Sequence, residues 1–215
     1  MARRIVTVCC ICTSLMQVGC RKDAEWARAE AMIVHGVEPP SEDWKRLQEA
    51  GWEQRVGRNL GLWVSVARQN LVGIEKGRVK FVYVCSTAAK GTGNRENSYQ
   101  TPLGWHEVAE RYGNGLPWGA VLSERKYTGK IWRPENQTSK DLILSRIMWL
   151  RGLERGVNRG PNIDSHARYI YIHGTPAEDK LGRPASLGCV RLSNDDVIEL
   201  FGVAESGTKI LITAW

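Results

Sequence analysis

Three residues near the C-terminal end of the chain have types and spacing that suit nucleophilic catalysis. His173 follows the strand-like run 169–172, and Cys189 follows Gly188 in a later loop that contains glycine and proline. A free thiol has a pKa of about 8.5, so a cysteine nucleophile needs a base or a cation to form a thiolate. His173 is the candidate base and Arg191 is the candidate cation. The pattern predicts covalent chemistry at Cys189.

The residues beside Cys189 fit the same chemistry. Gly188 has no side chain, so backbone and substrate can approach closely, and main-chain N–H groups of this loop are expected to form an oxyanion hole. Arg191 is expected to hold a substrate carboxylate or to favour the thiolate. The second ring nitrogen of His173 needs a partner, for which Ser186 and a backbone carbonyl are both candidates. Taken singly, each residue also fits a structural role, and the combination is what indicates a site.

Together these residues resemble the motif of the L,D-transpeptidase catalytic domain, also called the YkuD domain. That family carries His-Gly, a spacer and Ser/Thr-x-Gly-Cys-x-Arg, matched here by His173-Gly174 and by SLGCVR at 186–191. The resemblance covers residues 62–213. Many members have His where this chain has Leu187, which we interpret as a change in the pocket wall. Further matching segments are Gln69-Asn70-Leu71, Val84-Cys85-Ser86-Thr87, Thr101-Pro102-Leu103-Gly104 and Gly207-Thr208.

The resemblance implies an enzyme that acts on peptidoglycan stem peptides. Cys189 would attack the carbonyl of an L-centre diamino acid, release D-alanine and form a thioester. An amine on a neighbouring stem would then resolve the thioester into a 3→3 cross-link, with His173 moving the protons. Gly174 and Leu187 are expected to line the substrate site. No metal or organic cofactor is implied.

Other functions are compatible with parts of the same pattern. Water as the acceptor would make the protein an L,D-carboxypeptidase or a hydrolase. A third hypothesis is a non-catalytic wall-binding lipoprotein. The joint presence of His173, Cys189 and Arg191 argues against it. The net charge is +7, from 30 Lys and Arg against 23 Asp and Glu. Because the basic residues are scattered and no basic run is interleaved with aromatics, nucleic acid is not predicted as a partner, whereas an anionic wall polymer fits.

The elements that must position this site are mostly strands. The chain of 215 residues is 42% hydrophobic and 25% charged, which suits one globular domain with a small additional segment. Alternation of apolar and polar residues predicts strands near 63–67, 69–74, 79–84, 168–172 and 207–212, while 142–150 is ambiguous. A short helix is expected over 194–201 with Asn194 as its cap. The predicted fold is a mostly β, YkuD-like sandwich or barrel-like domain over 62–215, with this short helix after the catalytic loop.

The N-terminal part of the chain has a different composition. Residues 1–20 combine Arg3 and Arg4 with a short apolar run that ends at Cys20, as in the signal peptide of a bacterial lipoprotein. Gln17 departs from that pattern, so an ordinary cleaved signal and an uncleaved anchor remain alternatives. We expect an exported protein of the periplasm or cell envelope, held at the membrane through lipidated Cys20. Residues 21–61 are predicted to form a helical segment and linker, with Ser41 as a helix cap.

A second cysteine of the predicted domain has no motif around it. Cys85 follows a β-branched and aromatic run, where a small buried apolar residue is expected. Redox pairing of Cys85 with Cys189 is the alternative. The sequence therefore predicts one reactive thiol in this domain, at Cys189.

Overall fold

In the described part of the chain, two short helices precede the first described strand. The computed structural model describes residues 38–136, 138 and 140–215, and the predicted signal with its lipidated Cys20 lies outside the described residues. Helix α1 spans Ser41–Glu49 and helix α2 spans Trp52–Arg55. Pro40, not Ser41, occupies the N-cap of α1, so the predicted cap is wrong by one residue. No helix within the described ranges is long and apolar enough to cross a membrane.

The strands of the described residues all join one mixed sheet, which confirms the prediction of a mostly β fold. The spatial order is β3-β2-β1-β10-β4-β7-β5-β6, with β8 paired to β7 and β9 paired to β8. Among the strand pairs of the described ranges, β1–β10 and β8–β9 are parallel and the others are antiparallel. The strands are β1 Gly61–Ser65, β2 Asn70–Glu75, β3 Arg78–Val84, β4 Gly104–Tyr112, β5 Ala120–Ser123, β6 Lys126–Ile131, β7 Ile143–Gly152, β8 Tyr171–Gly174, β9 Val190–Leu192 and β10 Lys209–Thr213.

Strand β7 organises the part of the sheet that carries the site. The ambiguous run 142–150 is thus a strand, and residues on β7 pair with three neighbours. Ile147 pairs with both Tyr112 of β4 and His173 of β8, so β4 and β8 lie on opposite edges of β7. β5 pairs with the first residues of β7, on the edge that β4 uses further along. Ser145 has φ of 62° where the β7–β8 register shifts, so the strand bends between its two halves.

The main core lies between the sheet and the last helix, α3, which spans Asn194–Val203 and packs on β7 and β8. Ser193, not the predicted Asn194, is its N-cap, and the Ser193 hydroxyl accepts a hydrogen bond from the backbone N–H of Asp196. The Asn194 side chain is instead fully buried and donates to the Thr175 carbonyl. Apolar residues of the helix and of the sheet share this core, among them Val197, Leu200, Phe201, Met148, Leu150, Ile172, Val190 and Leu192.

Helix α1 is fixed to the sheet by an ion pair whose carboxylate is buried. Asp43 is 2% exposed and accepts hydrogen bonds of 2.5 and 2.9 Å from the two terminal nitrogens of Arg68, in the turn between β1 and β2. Trp105 of β4 donates its indole N–H to the Ala50 carbonyl at the end of α1, at 2.7 Å. These contacts attach the helical segment to the sheet on which the site is built.

Replacing Asp43 should loosen this attachment. In Asp43→Ala the partly buried Arg68 guanidinium loses its bidentate partner, so we expect the free energy of unfolding to fall by about 2 kcal/mol and the Tm to fall by roughly 5 °C. Glu42→Ala is the matched control, since Glu42 is exposed and pairs with Arg46 on the same helix; its cost should stay within about 0.5 kcal/mol. Equal effects of the two changes in thermal melts would contradict the assigned role of the buried pair.

Candidate active site

The parallel pair β8–β9 places the predicted catalytic residues on one face of the sheet. His173 is in register with Arg191, and Ile172 with Val190. Because side chains alternate along a strand, Cys189, just before β9, shares its face with His173 and Arg191, while Ile172 and Val190 point into the core. Strands that pair lie about 4.8 Å apart, so the thiol and the imidazole are diagonal neighbours. The structure brings these three side chains together.

His173 is oriented by the carbonyl of the next residue. Its Nδ1 lies 2.8 Å from the Gly174 oxygen, and since a carbonyl only accepts, Nδ1 is the donor and carries the proton. In the neutral ring this leaves Nε2 as the basic nitrogen. Of the two candidates for the orienting partner, the backbone carbonyl performs this role. Ser186 does not, because its hydroxyl bonds to the Cys189 carbonyl and the Gly188 N–H.

Gly174 itself is buried behind the histidine and does not line an open surface, contrary to its predicted contact with substrate. A Cβ here would lie 2.7 Å from the Asn194 Oδ1 and 2.8 Å from the Leu144 carbonyl, so only glycine fits. Asn194 is fully buried and donates to the Thr175 carbonyl at 3.0 Å, while its Oδ1 accepts from Ser145 at 2.6 Å. These bonds fix the chain that carries the Gly174 carbonyl.

The loop before the nucleophile is held by its own serine. Ser186 donates to the Cys189 carbonyl at 2.6 Å and accepts from the Gly188 N–H at 3.1 Å. Gly188 has φ of 133°, and a Cβ there would meet Ile170 at 3.3 Å. The Gly188 carbonyl accepts from Thr101 at 3.0 Å. Gly188 therefore shapes the loop, but its N–H is already bonded, so it does not supply the predicted oxyanion contact.

A buried relay ties this loop to the early strands. The Gln69 amide bonds to both the hydroxyl and the N–H of Thr87, at 2.7 and 2.8 Å. The Thr87 carbonyl in turn accepts from the N–H groups of Ala185 and Ser186, each at 2.8 Å. The segments around Gln69 and Thr101, which resemble family segments in sequence, therefore hold the loop that carries Cys189, a role that the sequence did not predict.

The Cys189 thiol lies among backbone groups of the neighbouring strand. Its Sγ accepts from the Tyr171 N–H at 3.4 Å and donates to the Tyr169 carbonyl at 3.5 Å. Burial raises the pKa of Cys189 to about 11, although the hydrogen bond from the Tyr171 N–H favours the thiolate and acts in the opposite direction. Burial also lowers the pKa of His173 to about 4. The resting pair is therefore a neutral thiol beside a neutral imidazole, with Nε2 ready to accept a proton.

Arg191 is not open to a substrate carboxylate, because it already has one. Its side chain is buried and donates to Asp141, which precedes β7. The Asp141 charge raises the pKa of Cys189 and of His173, whereas the Arg191 charge lowers both. The electrostatic part of the Arg191 prediction fits this geometry and the carboxylate-holding part does not. Sequence reasoning missed Asp141, which lies in no motif.

Two large side chains flank the thiol at the surface. Leu187 is 61% exposed, and Tyr169, whose carbonyl contacts the Cys189 thiol, is 54% exposed. Leu187 thus presents an apolar side chain at the surface of the loop that carries the nucleophile. Cys85 is fully buried, and in the described part of the chain both it and Cys189 are free thiols.

Comparison with known proteins matches most of the chain to one protein family. Residues 60–212 match the family model YkuD, described as the L,D-transpeptidase catalytic domain. A segment of 46 residues is 48% identical to YqjB of Bacillus subtilis, and one of 95 residues is 34% identical to ErfK/SrfK of Salmonella typhimurium, both named as L,D-transpeptidases. These segments cover 21% and 41% of this chain.

The curated relatives are longer than the segments they share with this chain. The two matches span 26% and 29% of those proteins. A crystal structure of the L,D-transpeptidase from Xylanimonas cellulosilytica is 21% identical, with a TM-score of 0.43 over 72% of this chain and 60% of that one.

The neutral resting pair predicts the pH profile of thiol reactivity. Since the raised pKa keeps Cys189 protonated, its alkylation by iodoacetamide should rise about tenfold per pH unit from about pH 6 to about pH 9. The rate in Cys189→Ala, which reports the other thiols, is subtracted. A plateau already present near pH 6 would instead show a preformed thiolate–imidazolium pair and contradict this assignment.

Removing the Asp141 charge should make the thiol more reactive. Burial is the main cause of the raised Cys189 pKa, and the Asp141 charge adds to it. Asp141→Asn leaves Arg191 charged and removes that added contribution, so alkylation near pH 7 should accelerate by roughly threefold or more. Asp179→Asn is the matched control, because Asp179 is exposed and pairs with Arg183 in the loop between the two catalytic residues. An unchanged or slower rate in Asp141→Asn would exclude this electrostatic role.

Proposed function

The chain belongs to the YkuD family of L,D-transpeptidase catalytic domains, and from this premise we propose that it transfers peptidoglycan stem peptides through a thioester on Cys189. The observation that carries the proposal is that Cys189 and His173 lie on the same face of the sheet, with the imidazole fixed through Nδ1 so that Nε2 remains basic. A thiol beside such a base is the arrangement that activates a cysteine nucleophile.

In the acylation step, the Cys189 Sγ attacks the carbonyl carbon of the L-centre diamino acid while Nε2 of His173 takes the thiol proton. The resulting tetrahedral oxyanion needs N–H donors. With the Gly188 N–H bonded to Ser186, we assign this contact to the Cys189 N–H. The C–N bond to D-alanine then breaks, and His173 returns the proton to the leaving amine. The products are D-alanine and a thioester.

In the transfer step, the amine of a second stem attacks the thioester carbonyl. His173 accepts the proton of the attacking amine and returns it to the departing sulfur, so that the free thiol is restored and a 3→3 amide forms. His173 has to be neutral for both steps, and its depressed pKa keeps it neutral at physiological pH. The Arg191–Asp141 pair sets the field around the sulfur during both steps.

The proposal is tested with the full chain and a diaminopimelate-containing disaccharide tetrapeptide, followed by mass spectrometry of products and of intact protein. We expect D-alanine release, an acyl adduct on the protein and a cross-linked dimer, all absent in Cys189→Ala. Cys85→Ala is the matched control, since Cys85 is a buried free thiol of the same domain and its loss should leave the adduct in place.

Two outcomes would change the conclusion. D-alanine release with tripeptide as the only other product would make water the acceptor and the protein a carboxypeptidase. Neither adduct nor product from folded protein whose Cys189 still reacts with iodoacetamide would overturn catalysis on this substrate and favour a wall-binding role.

A further inference from the structure

The geometry around the thiol leaves one arginine free to meet an anionic substrate. Arg191 is paired with Asp141. Arg168, whose charge also acts on Cys189, donates to the Gly93 and Gln100 carbonyls and to the Ser98 hydroxyl, so its terminal nitrogens are bonded within the protein. Arg125 differs. Within the described residues, it has no carboxylate at ion-pair distance, and only its Nη1 has a hydrogen-bond partner, the Tyr171 hydroxyl at 3.0 Å.

The β5–β6 hairpin holds Arg125 in a defined place. Glu124 and Arg125 form the tip, both with positive φ, 49° and 65°, the backbone conformation of a two-residue type I′ turn. The guanidinium lies 4.6 Å from the centroid of the Trp149 ring and 5.3 Å from that of Tyr169. These contacts and the bond to Tyr171 orient the cation without neutralising it.

The rings beneath Arg125 form a row that starts at the nucleophile. Tyr171 of β8 is in register with Trp149 of β7, and Trp149 is in register with Glu110 of β4. The Tyr171 N–H bonds to the Cys189 sulfur. The Trp149 ring contacts Tyr171 edge-on and stacks with Tyr169. We call Tyr171, Trp149 and Glu110 the cross-strand row, since the three side chains share one face of the sheet.

The far end of the cross-strand row carries a negative charge. Glu110 is 41% exposed at its side chain and is held by His166 at 3.1 Å and by the Tyr112 hydroxyl. His166 stacks on Trp149 at 3.8 Å, which ties the carboxylate to the same aromatic surface. The Tyr112 hydroxyl bond lowers the pKa of Glu110, so that it is ionised at neutral pH. Trp149 and Tyr171 are themselves buried, at 8% and 6% exposure, and they support a cation, Arg125, and an anion, Glu110, at the surface beside the exposed Tyr169 ring.

We propose that the cross-strand row with Arg125 is a subsite for the amino–carboxylate end of the donor's diamino acid, where Arg125 binds the carboxylate and Glu110 binds the ammonium group. This inference rests on the proposed function. The attacked carbonyl must lie at Cys189, beside the Tyr171 backbone, and Arg125 lies at the hydroxyl end of that same side chain. Arg125 and Glu110 both act on the Tyr112 hydroxyl, which brings the two charges to one place on the surface. An extended diamino-acid side chain covers a comparable span, so its far end reaches these charges while its methylenes lie against the Tyr169 ring, which is 54% exposed.

The consequence is selection among stem peptides by the far end of the diamino acid. A diaminopimelate stem offers both charges, an amidated one offers only the ammonium, and a lysine stem lacks the carboxylate. A planar guanidinium with free donors discriminates a carboxylate from an amide through a charge-assisted bond, worth about tenfold or more in binding or rate.

The experiment measures kcat/KM for D-alanine release from three tetrapeptide stems, with diaminopimelate, amidated diaminopimelate or lysine. The wild type should prefer the free carboxylate by about tenfold or more, and Arg125→Gln should lose this preference through a slower reaction with that stem alone. Arg125→Lys should keep part of it, because the charge remains. Lys126→Gln, at the exposed next position of the hairpin, is the matched control and should leave the preference unchanged.

Glu110→Gln tests the other charge. It should slow stems with a free far ammonium and leave stems with an acetylated one unaffected. Wild type that releases D-alanine from all three stems at similar rates would overturn the subsite while leaving the proposed function intact. Arg125→Gln that slows every stem equally would show a structural role for the hairpin and also overturn the subsite. No D-alanine release from any stem would overturn both proposals.

Discussion

The hydrogen bond from His173 Nδ1 to the Gly174 carbonyl is the contact on which the rest of the site depends. It sets the tautomer of the imidazole, and thereby decides which nitrogen faces the thiol. A carbonyl partner cannot change its own protonation state, so the tautomer is independent of pH in the neutral range. The geometry requires a residue without a side chain at 174, because Asn194 and Leu144 fill the space behind it. The group that orients His173 is thus a backbone carbonyl, which the packing around Gly174 holds in place.

Burial and charge act in opposite directions on the Cys189–His173 pair, and burial dominates. It keeps the thiol protonated and the imidazole neutral, even though the Tyr171 N–H, Arg191 and Arg168 all favour the thiolate. A preformed ion pair would be more reactive towards small electrophiles in general. A neutral pair becomes nucleophilic only as the proton moves to His173 during attack, which suits a thiol in an oxidising compartment such as the one predicted for this chain.

Some parts of the fold and of the site could be predicted from the sequence and others could not, for physical reasons that differ between residues. His173, Cys189 and the strands of alternating residues carry local signals, and the mostly β fold follows from them. The sequence did not predict strands β4, β5, β6 and β9, because they are short, exposed or weakly alternating. Their pairing partners lie far away in the chain. The bond between the Ser186 hydroxyl and the Gly188 N–H could not be predicted, because which N–H meets which hydroxyl depends on a turn that residue spacing does not reveal.

The reassignment of Arg191 shows why charge near a nucleophile cannot be interpreted from sequence distance alone. Arg191 is two residues from Cys189 and Arg125 is far from it in the chain, yet the nearer one is buried against Asp141 and the distant one has free donors. The strand pair β8–β9 fixes the chemistry through backbone contacts that tolerate little change. The β5–β6 hairpin brings its charge to the same face from an exposed edge of the sheet, where substitutions cost the fold little. Such an arrangement allows substrate preference to vary while the reacting atoms stay in place.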